Sequence, residues 1–292
     1  MFPEAKPMKL GVNTLIWSAS YDNSVEEMLP DIRAHGFNGI EIPIFQIEGV
    51  SPTRIRQAVE QNRLACNVIG VLMNGLSLIT EDAAIRLRSL QWMKDLISIT
   101  AECGAQTLAG PLYCPVGYLP GRRRTADEWS RAVEAYQQLG ETLAQHNLTL
   151  AIEPLNRFET FFLNTAEDAA LLAEQVSHPN VGILYDTFHA NIEEKNIAAG
   201  MLQIGKHLKL IHTCENDRGI PGSGHIDWPS VFAAIAQLNY DGWLTIESFG
   251  FAIPELCAAA AIWRDIESSP SAIAFEGIEF LKQSLLSMGA IH

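Results

Sequence analysis

The chain has 292 residues, 48% of them apolar and 18% charged, which suits a sizeable folded core and excludes a disordered chain. Its 20 Lys and Arg against 34 Asp and Glu give a formal net charge of -14, leaving little material for the basic footprint of a non-specific nucleic-acid binder. Residues 1–8 hold no apolar secretion core, no run reaches membrane-spanning length, and five scattered cysteines form no Cys-x-x-Cys pair, so we expect a cytoplasmic protein with reduced thiols.

In chain order, residues 9–14 read as a first strand. Residues 24–35 follow as a helix, with Val25, Met28, Leu29 and Ile32 on one face and His35-Gly36 at its end. Residues 38–42 give a second strand, and Ser51-Pro52 opens a helix with Pro where its missing N–H costs least. Residues 64–69 form a third strand. Thr80 is the expected cap of a helix over 81–103, with Glu81 and Asp82 in its first turn. Residues 106–109 are a short fourth strand, followed by a long aromatic loop over 110–121.

Thr125 and Glu128 have capping-box spacing, ahead of Trp129, Val133, Tyr136, Gly140 and Leu143 at helical intervals. A fifth strand over 148–153 ends in Glu153. Thr165 caps a helix whose apolar face is Ala169, Leu172, Ala173 and Val176. Then come a strand at 181–185, a helix near 191–204, a strand at 207–211 and a helix near 228–238 opening with Asp227-Trp-Pro229. A strand at 243–246 leads to a helix after Pro254, and a helix over 275–287 is surplus. Eight short apolar strands alternating with helices predict an α/β fold, a single (β/α)8 TIM barrel occupying 1–292 with an additional C-terminal helix. No Gly-x-Gly-x-x-Gly follows the first strand, which weakens a dinucleotide-binding alternative.

In such a barrel all strand ends point to one face, where barrel enzymes carry their chemistry. Glu153, Asp186, His212 and Glu247 would end strands five to eight. Alone, each has an ordinary role as a cap, a core hydrogen-bond partner or a surface carboxylate. Together they place three carboxylates and an imidazole in one cavity, where a divalent cation would offset the repulsion and the cost of burial. An oxygen-rich set with one nitrogen favours Mn2+, with Mg2+ or Co2+ possible, over structural zinc. His189, three residues past Asp186 along a loop, is near enough to meet a substrate oxygen. Arg218, in a glycine-rich loop, and Glu159, in the loop after Glu153, lie close to the same end.

The passages Glu153-Pro-Leu-Asn-Arg-Phe-Glu-Thr160, Asp186-Thr-Phe-His-Ala-Asn-Ile-Glu-Glu194, His212-Thr-Cys-Glu-Asn-Asp-Arg218 and Glu247-Ser-Phe249 closely resemble the ketose 3-epimerase family. That family comprises the D-tagatose, D-allulose and L-ribulose 3-epimerases, within the xylose-isomerase-like TIM barrels. The resemblance covers nearly the whole barrel. It implies that Glu153, Asp186, His212 and Glu247 hold the metal and that Glu153 and Glu247 are catalytic, facing opposite sides of C3 of a ketose monosaccharide. It further implies that His189, Arg218 and Glu159 contact the O1 and O2 end, and that Trp17, Cys66, Leu108 and Tyr113 line the pocket. Asn13 is polar where the D-tagatose 3-epimerase pattern has an aromatic, at the wall expected around the distal carbons.

The implied reaction is epimerisation at C3 through a cis-enediolate, needing neither nicotinamide nor flavin because there is no net redox change. The implied assembly is a homodimer or homotetramer. Aldose–ketose isomerisation, a metal-dependent DNA-repair nuclease and a non-catalytic sugar-binding barrel are the competing readings.

Overall fold

Eight runs of four to six residues, nearly all buried, make the strands: β1 Lys9–Asn13, β2 Gly39–Pro43, β3 Ala65–Ile69, β4 Thr107–Gly110, β5 Thr149–Ile152, β6 Val181–Asp186, β7 Leu208–His212 and β8 Trp243–Ile246. Burial on both faces is why they read as apolar runs rather than alternating ones. In the computed structural model, which describes residues 8–251 and 253–287, they pair in sequence order in parallel, and β8 closes on β1. The reading of the N-terminal segment rests largely on residues 1–7, outside the described ones. Among the described residues no helix is long and apolar enough to cross a membrane.

The helices are α1 Asn23–Ala34, α2 Pro52–Gln61, α3 Ala83–Glu102, α4 Ala126–Gln145, α5 Ala166–Val176, α6 Thr187–Glu193, α7 Ile197–Ile204, α8 Trp228–Gln237, α9 Pro254–Ala260 and α10 Pro270–Ser287. Both halves of the α4 capping box form: Thr125 accepts from the Glu128 N–H, and Glu128 accepts from the Thr125 N–H. Thr165 caps α5 as expected.

Four helix expectations need correction. The cap of α3 is Asp82, which accepts from Ala84 and Ile85, while Thr80 caps only the turn before it. A carboxylate at that position adds charge–dipole attraction to the hydrogen bonds, and it prevails over the hydroxyl. Ser51 stands at the start of α2 without a side-chain cap bond, so Pro52 carries that helix start. The helix expected over 191–204 is two helices, the first starting directly at the end of β6 with Asp186 as its cap. The last helix starts at Pro270, five residues earlier than its apolar pattern suggested.

Strand register sorts the buried apolar side chains of the barrel into two cores. The larger lies between barrel and helices and includes Ile40, Cys66, Val68, Leu108 and Leu150. The smaller fills the barrel with Ala109, Ala151, Leu184, Leu210 and Trp243. Gly39 and Gly11 make room for the Trp243 indole: a Cβ at Gly39 would lie 2.7 Å from its ring and 2.6 Å from the Ala65 carbonyl oxygen. Gly39→Ala is therefore expected to lower stability by about 1–3 kcal/mol through overpacking, read as a fall in the thermal unfolding midpoint.

Candidate metal and sugar site

The last inward positions of β5 to β8 converge above this plug. Glu153 follows β5, Asp186 and His212 end β6 and β7, and Glu247 follows β8. All four are buried, and each offers one ligand atom lying within 4.8 Å of the others. The strands thus bring together the four residues that the strand ends predicted.

Hydrogen bonding fixes what each offers. The Nε2 of His212 lies 2.8 Å from Glu41 Oε1, so Nε2 carries the proton and donates it. Its Nδ1 is buried without a hydrogen-bond partner, 3.3 Å from Glu247 Oε2, 3.8 Å from Glu153 Oε1 and 3.9 Å from Asp186 Oδ2. Burial disfavours a second proton on this ring, but the charges of Glu247 and Glu41 outweigh it, and a divalent cation taking that proton's place at Nδ1 would meet one nitrogen and three carboxylates, a donor set that suits it. The residues therefore fit the expected metal.

The cluster already holds one cation. Arg218 Nη1 donates to Asp186 Oδ2 at 2.8 Å and to Glu247 Oε2 at 2.9 Å. Its guanidinium lies over the Phe188 ring at 4.0 Å and near Phe249 at 5.1 Å, a setting suited to a planar cation. The Arg218 backbone is left-handed (φ 66°), and the Ser248 hydroxyl bonded to its carbonyl at 2.6 Å helps hold it there. The loop itself is organised by Glu215, whose buried carboxylate accepts from the backbones of Asn216, Gly222 and Ile226 and from the Trp228 indole. Arg218 is thus a non-glycine residue held in a backbone conformation it rarely adopts, beside a charged cluster.

The two carboxylates assigned to catalysis are electrostatically unlike. Burial and the Glu247 charge push Glu153 well above the ordinary carboxylate range, against the pull of His212. Burial also penalises Glu247, but His212 and Arg218 outweigh it and hold the group down at about 2.

His189 sits within α6, correcting its expected place on a loop, because that helix begins immediately after the strand. The Asn156 backbone N–H donates to its Nδ1 at 3.1 Å, so the neutral ring carries its proton on Nε2, which is 3.7 Å from Glu153 Oε1 and 3.8 Å from Asp186 Oδ2. Burial pushes its pKa from 6.5 down to about 3 despite Asp186. A folded pKa below the unfolded one contributes stability above about 6.5 that fades as pH falls toward 3. His189→Asn is accordingly expected to show a flatter fall in stability between pH 6.5 and 4 than the parent protein, measured by denaturant titration across pH.

The remaining expected positions divide. Glu159 is half-buried, accepts from Asn156 Nδ2 at 2.7 Å, and has its pKa raised by burial against the influence of Arg218. Tyr113 is buried and supports the site from behind, donating its hydroxyl to the Glu153 carbonyl at 3.1 Å. Trp17 is half-buried and donates to Ser271 Oγ at 2.9 Å, which fastens it to α10. Asn13 is fully buried and donates to Glu41 and Glu247.

Cys66 and Leu108 are not brought to the site, which corrects their assignment to the pocket. Register pairs Cys66 with Ile40 and Leu108 with Val68, on the faces turned to the helices. Glu41, Asn156 and Glu215 were missed. The sequence signals were a carboxylate inside the apolar Ile-Glu-Ile of β2, an Asn one turn before Glu159, and an acid opening a glycine-rich loop.

A closed eight-stranded barrel carrying this cluster has close counterparts. The family model described as xylose isomerase-like TIM barrel matches residues 29–284, and the chain belongs to that class. A probable ketose 3-epimerase of Synechocystis is 37% identical over 95% of this chain and 96% of its own length. An L-ribulose 3-epimerase of Methylomonas is 27% identical over 95% of this chain and 98% of its own. The crystal structure of a Methylomonas D-allulose 3-epimerase in complex with D-allulose superposes with a TM-score of 0.90 at 27% identity, covering 95% of this chain and 97% of that one. Within the barrel class, the chain belongs to the ketose 3-epimerase family of carbohydrate isomerases.

Proposed function

We propose that this single 1–292 barrel domain epimerises a free ketose at C3, with Glu153 and Glu247 acting from opposite faces of the sugar through a cis-enediolate. The observation that carries the reading is the buried Glu153–Asp186–His212–Glu247 cluster with its orphaned His212 Nδ1. These four residues would hold Mn2+, with Mg2+ or Co2+ as alternatives. When bound, such an ion would supply Lewis-acid polarisation of the substrate's carbonyl group.

The chain's own groups do the rest. One carboxylate removes the C3 proton and the other returns a proton to the opposite face, their roles exchanging with the direction of reaction. The His189 Nε2–H and the Arg218 Nη2, 3.2 Å apart, are both donors, so a substrate O2 between them would accept from each as negative charge develops. Glu159 would contact the O1 side. Phe188 and Phe249, flanking the Arg218 guanidinium, help shield the site from water, which strengthens these contacts.

D-tagatose, the D-fructose/D-allulose pair and L-ribulose are the proposed substrates. The Methylomonas neighbours, described as L-ribulose and D-allulose 3-epimerases, support the range. We further propose a cytoplasmic homodimer or homotetramer. Val116, Tyr118, Leu119 and Phe158 are exposed on two loops joined by a Gly117 N–H to Glu159 carbonyl bond, and such an apolar patch suits a subunit contact. Sedimentation as a monomer at micromolar concentration would remove that part.

The test of the activity is chromatographic. Protein stripped of metal and reloaded with Mn2+ is incubated with each ketose, and the products are resolved. C3 epimers that appear only after reloading support the proposal; aldoses alone would assign the site to isomerisation between C1 and C2.

A further inference from the structure

Beside the metal-ligand cluster lies a second polar unit built by the first two strands. Asn13 Nδ2 donates to Glu41 Oε1 at 2.9 Å and, more weakly, to Glu247 Oε1 at 3.3 Å. The orientation of the amide is fixed because its Oδ1 accepts the Leu15 backbone N–H at 2.9 Å. The same Glu41 Oε1 accepts from His212 Nε2 at 2.8 Å. Asn13, Glu41 and His212 are each fully buried, so no water competes for these bonds. The chain thus ties the imidazole of β7 and the carboxylate after β8 to one oxygen on β2.

We propose that Glu41 and Asn13 are positioning residues for the reaction: Glu41 holds His212 in the tautomer that turns Nδ1 toward the metal-ligand cluster, and Asn13 fastens the Oε1 of Glu247. Glu247 then has divided tasks. Its Oε2 faces His212 Nδ1 and Arg218, while Oε1 is kept at a set orientation as the oxygen available for proton transfer. Glu153 accepts no side-chain bond from Asn13, and this places a difference between the two carboxylates in the scaffold.

This inference rests on the epimerase reading, and the experiment separates the two. Imidazole proton positions are read by 15N-edited NMR on the Mg2+-loaded protein, and Mn2+ affinity by calorimetry, for the parent, Glu41→Gln, Glu41→Leu and Asn13→Leu. The parent is expected to show the Nε2–H form of His212. Glu41→Gln keeps an acceptor at Oε1 and is expected to keep that form with less than about a tenfold loss of Mn2+ affinity, whereas Glu41→Leu mixes the tautomers and weakens Mn2+ by about 10–100-fold. Asn13→Leu is expected to keep the tautomer and KM but to lower kcat.

An Nδ1–H tautomer in the parent protein overturns the proposal, and so does a folded Glu41→Leu variant that binds Mn2+ as the parent does. If Glu41→Leu does not fold, the parent and Glu41→Gln spectra still decide, because loss of the tautomer in Glu41→Gln also overturns it. A parent protein that binds Mn2+ with the expected tautomer but epimerises no ketose would defeat the epimerase reading while leaving the role of Glu41 standing.

Discussion

Glu153→Gln and Glu247→Gln are each expected to lower the rate of C3 epimerisation by about 10²–10⁴-fold at saturating Mn2+, the usual contribution of a positioned proton-transfer group. Both residues also belong to the metal-ligand set, so metal occupancy must be matched before rates are compared. The more telling result is stereochemical. Each variant retains one carboxylate, able to remove the C3 proton from one epimer and return solvent hydrogen to the same face. Glu153→Gln should therefore exchange C3 hydrogen in one epimer without inverting it, and Glu247→Gln should do so in the other. Exchange of the same epimer by both variants would contradict the two-face arrangement. It would assign proton transfer to a single residue.

Arg218→Met is expected to be the most destabilising change at the site. Its guanidinium is bonded to Asp186 and Glu247 with both carboxylates buried, and removing one partner of a buried pair costs about 3–5 kcal/mol. The loss is conditional on the metal. Without Arg218 the carboxylates lack their resident cation, so Mn2+ should raise the unfolding midpoint of the variant more than that of the parent protein. Equal shifts would mean that the guanidinium and the ion act independently. Arg218→Lys is expected to recover only part of the activity, because an ammonium cannot lie flat over Phe188 while donating to the cluster.

The part of the site that was legible in the sequence is the part written along single strands. An apolar run that ends in Glu, Asp or His announces a polar group at the end of a barrel strand. Four such endings in succession left few alternatives, and Glu153, Asp186, His212 and Glu247 lie where that reading puts them. Cys66 failed for a register reason. Side chains alternate faces every residue, and Asn67, its neighbour, has the register position beside inward-facing Glu41. Leu108 failed in the same way, since Ala109 is the member of that pair inside the barrel.

The signal at Glu41 could not be tied to the site, because its partner His212 is 171 residues away and meets it only across the closed barrel. Nothing in Gly39-Ile-Glu-Ile-Pro43 distinguishes a carboxylate directed inward from one caught in an edge strand. The position of His189 depended on a helix boundary, the least certain feature of a sequence reading, because Asp186 serves as strand end and helix cap at once. The aromatic position occupied by Asn13 shows the converse. The departure was visible in the sequence, but its consequence, an amide bonded to Glu41 and Glu247, required the fold.

The central claim is that a proton leaves C3 and returns there. The most direct measurement is 1H and 13C NMR of D-fructose, D-tagatose and L-ribulose incubated in deuterated water with the Mn2+-loaded protein, read after the metal has been removed. Deuterium at C3, in recovered substrate and in a C3-inverted product, is the expected result for at least one of these ketoses. Deuterium confined to C1 or C2 with an aldose as product, or no exchange at C3 in any of the three by protein shown to hold its metal, would contradict it.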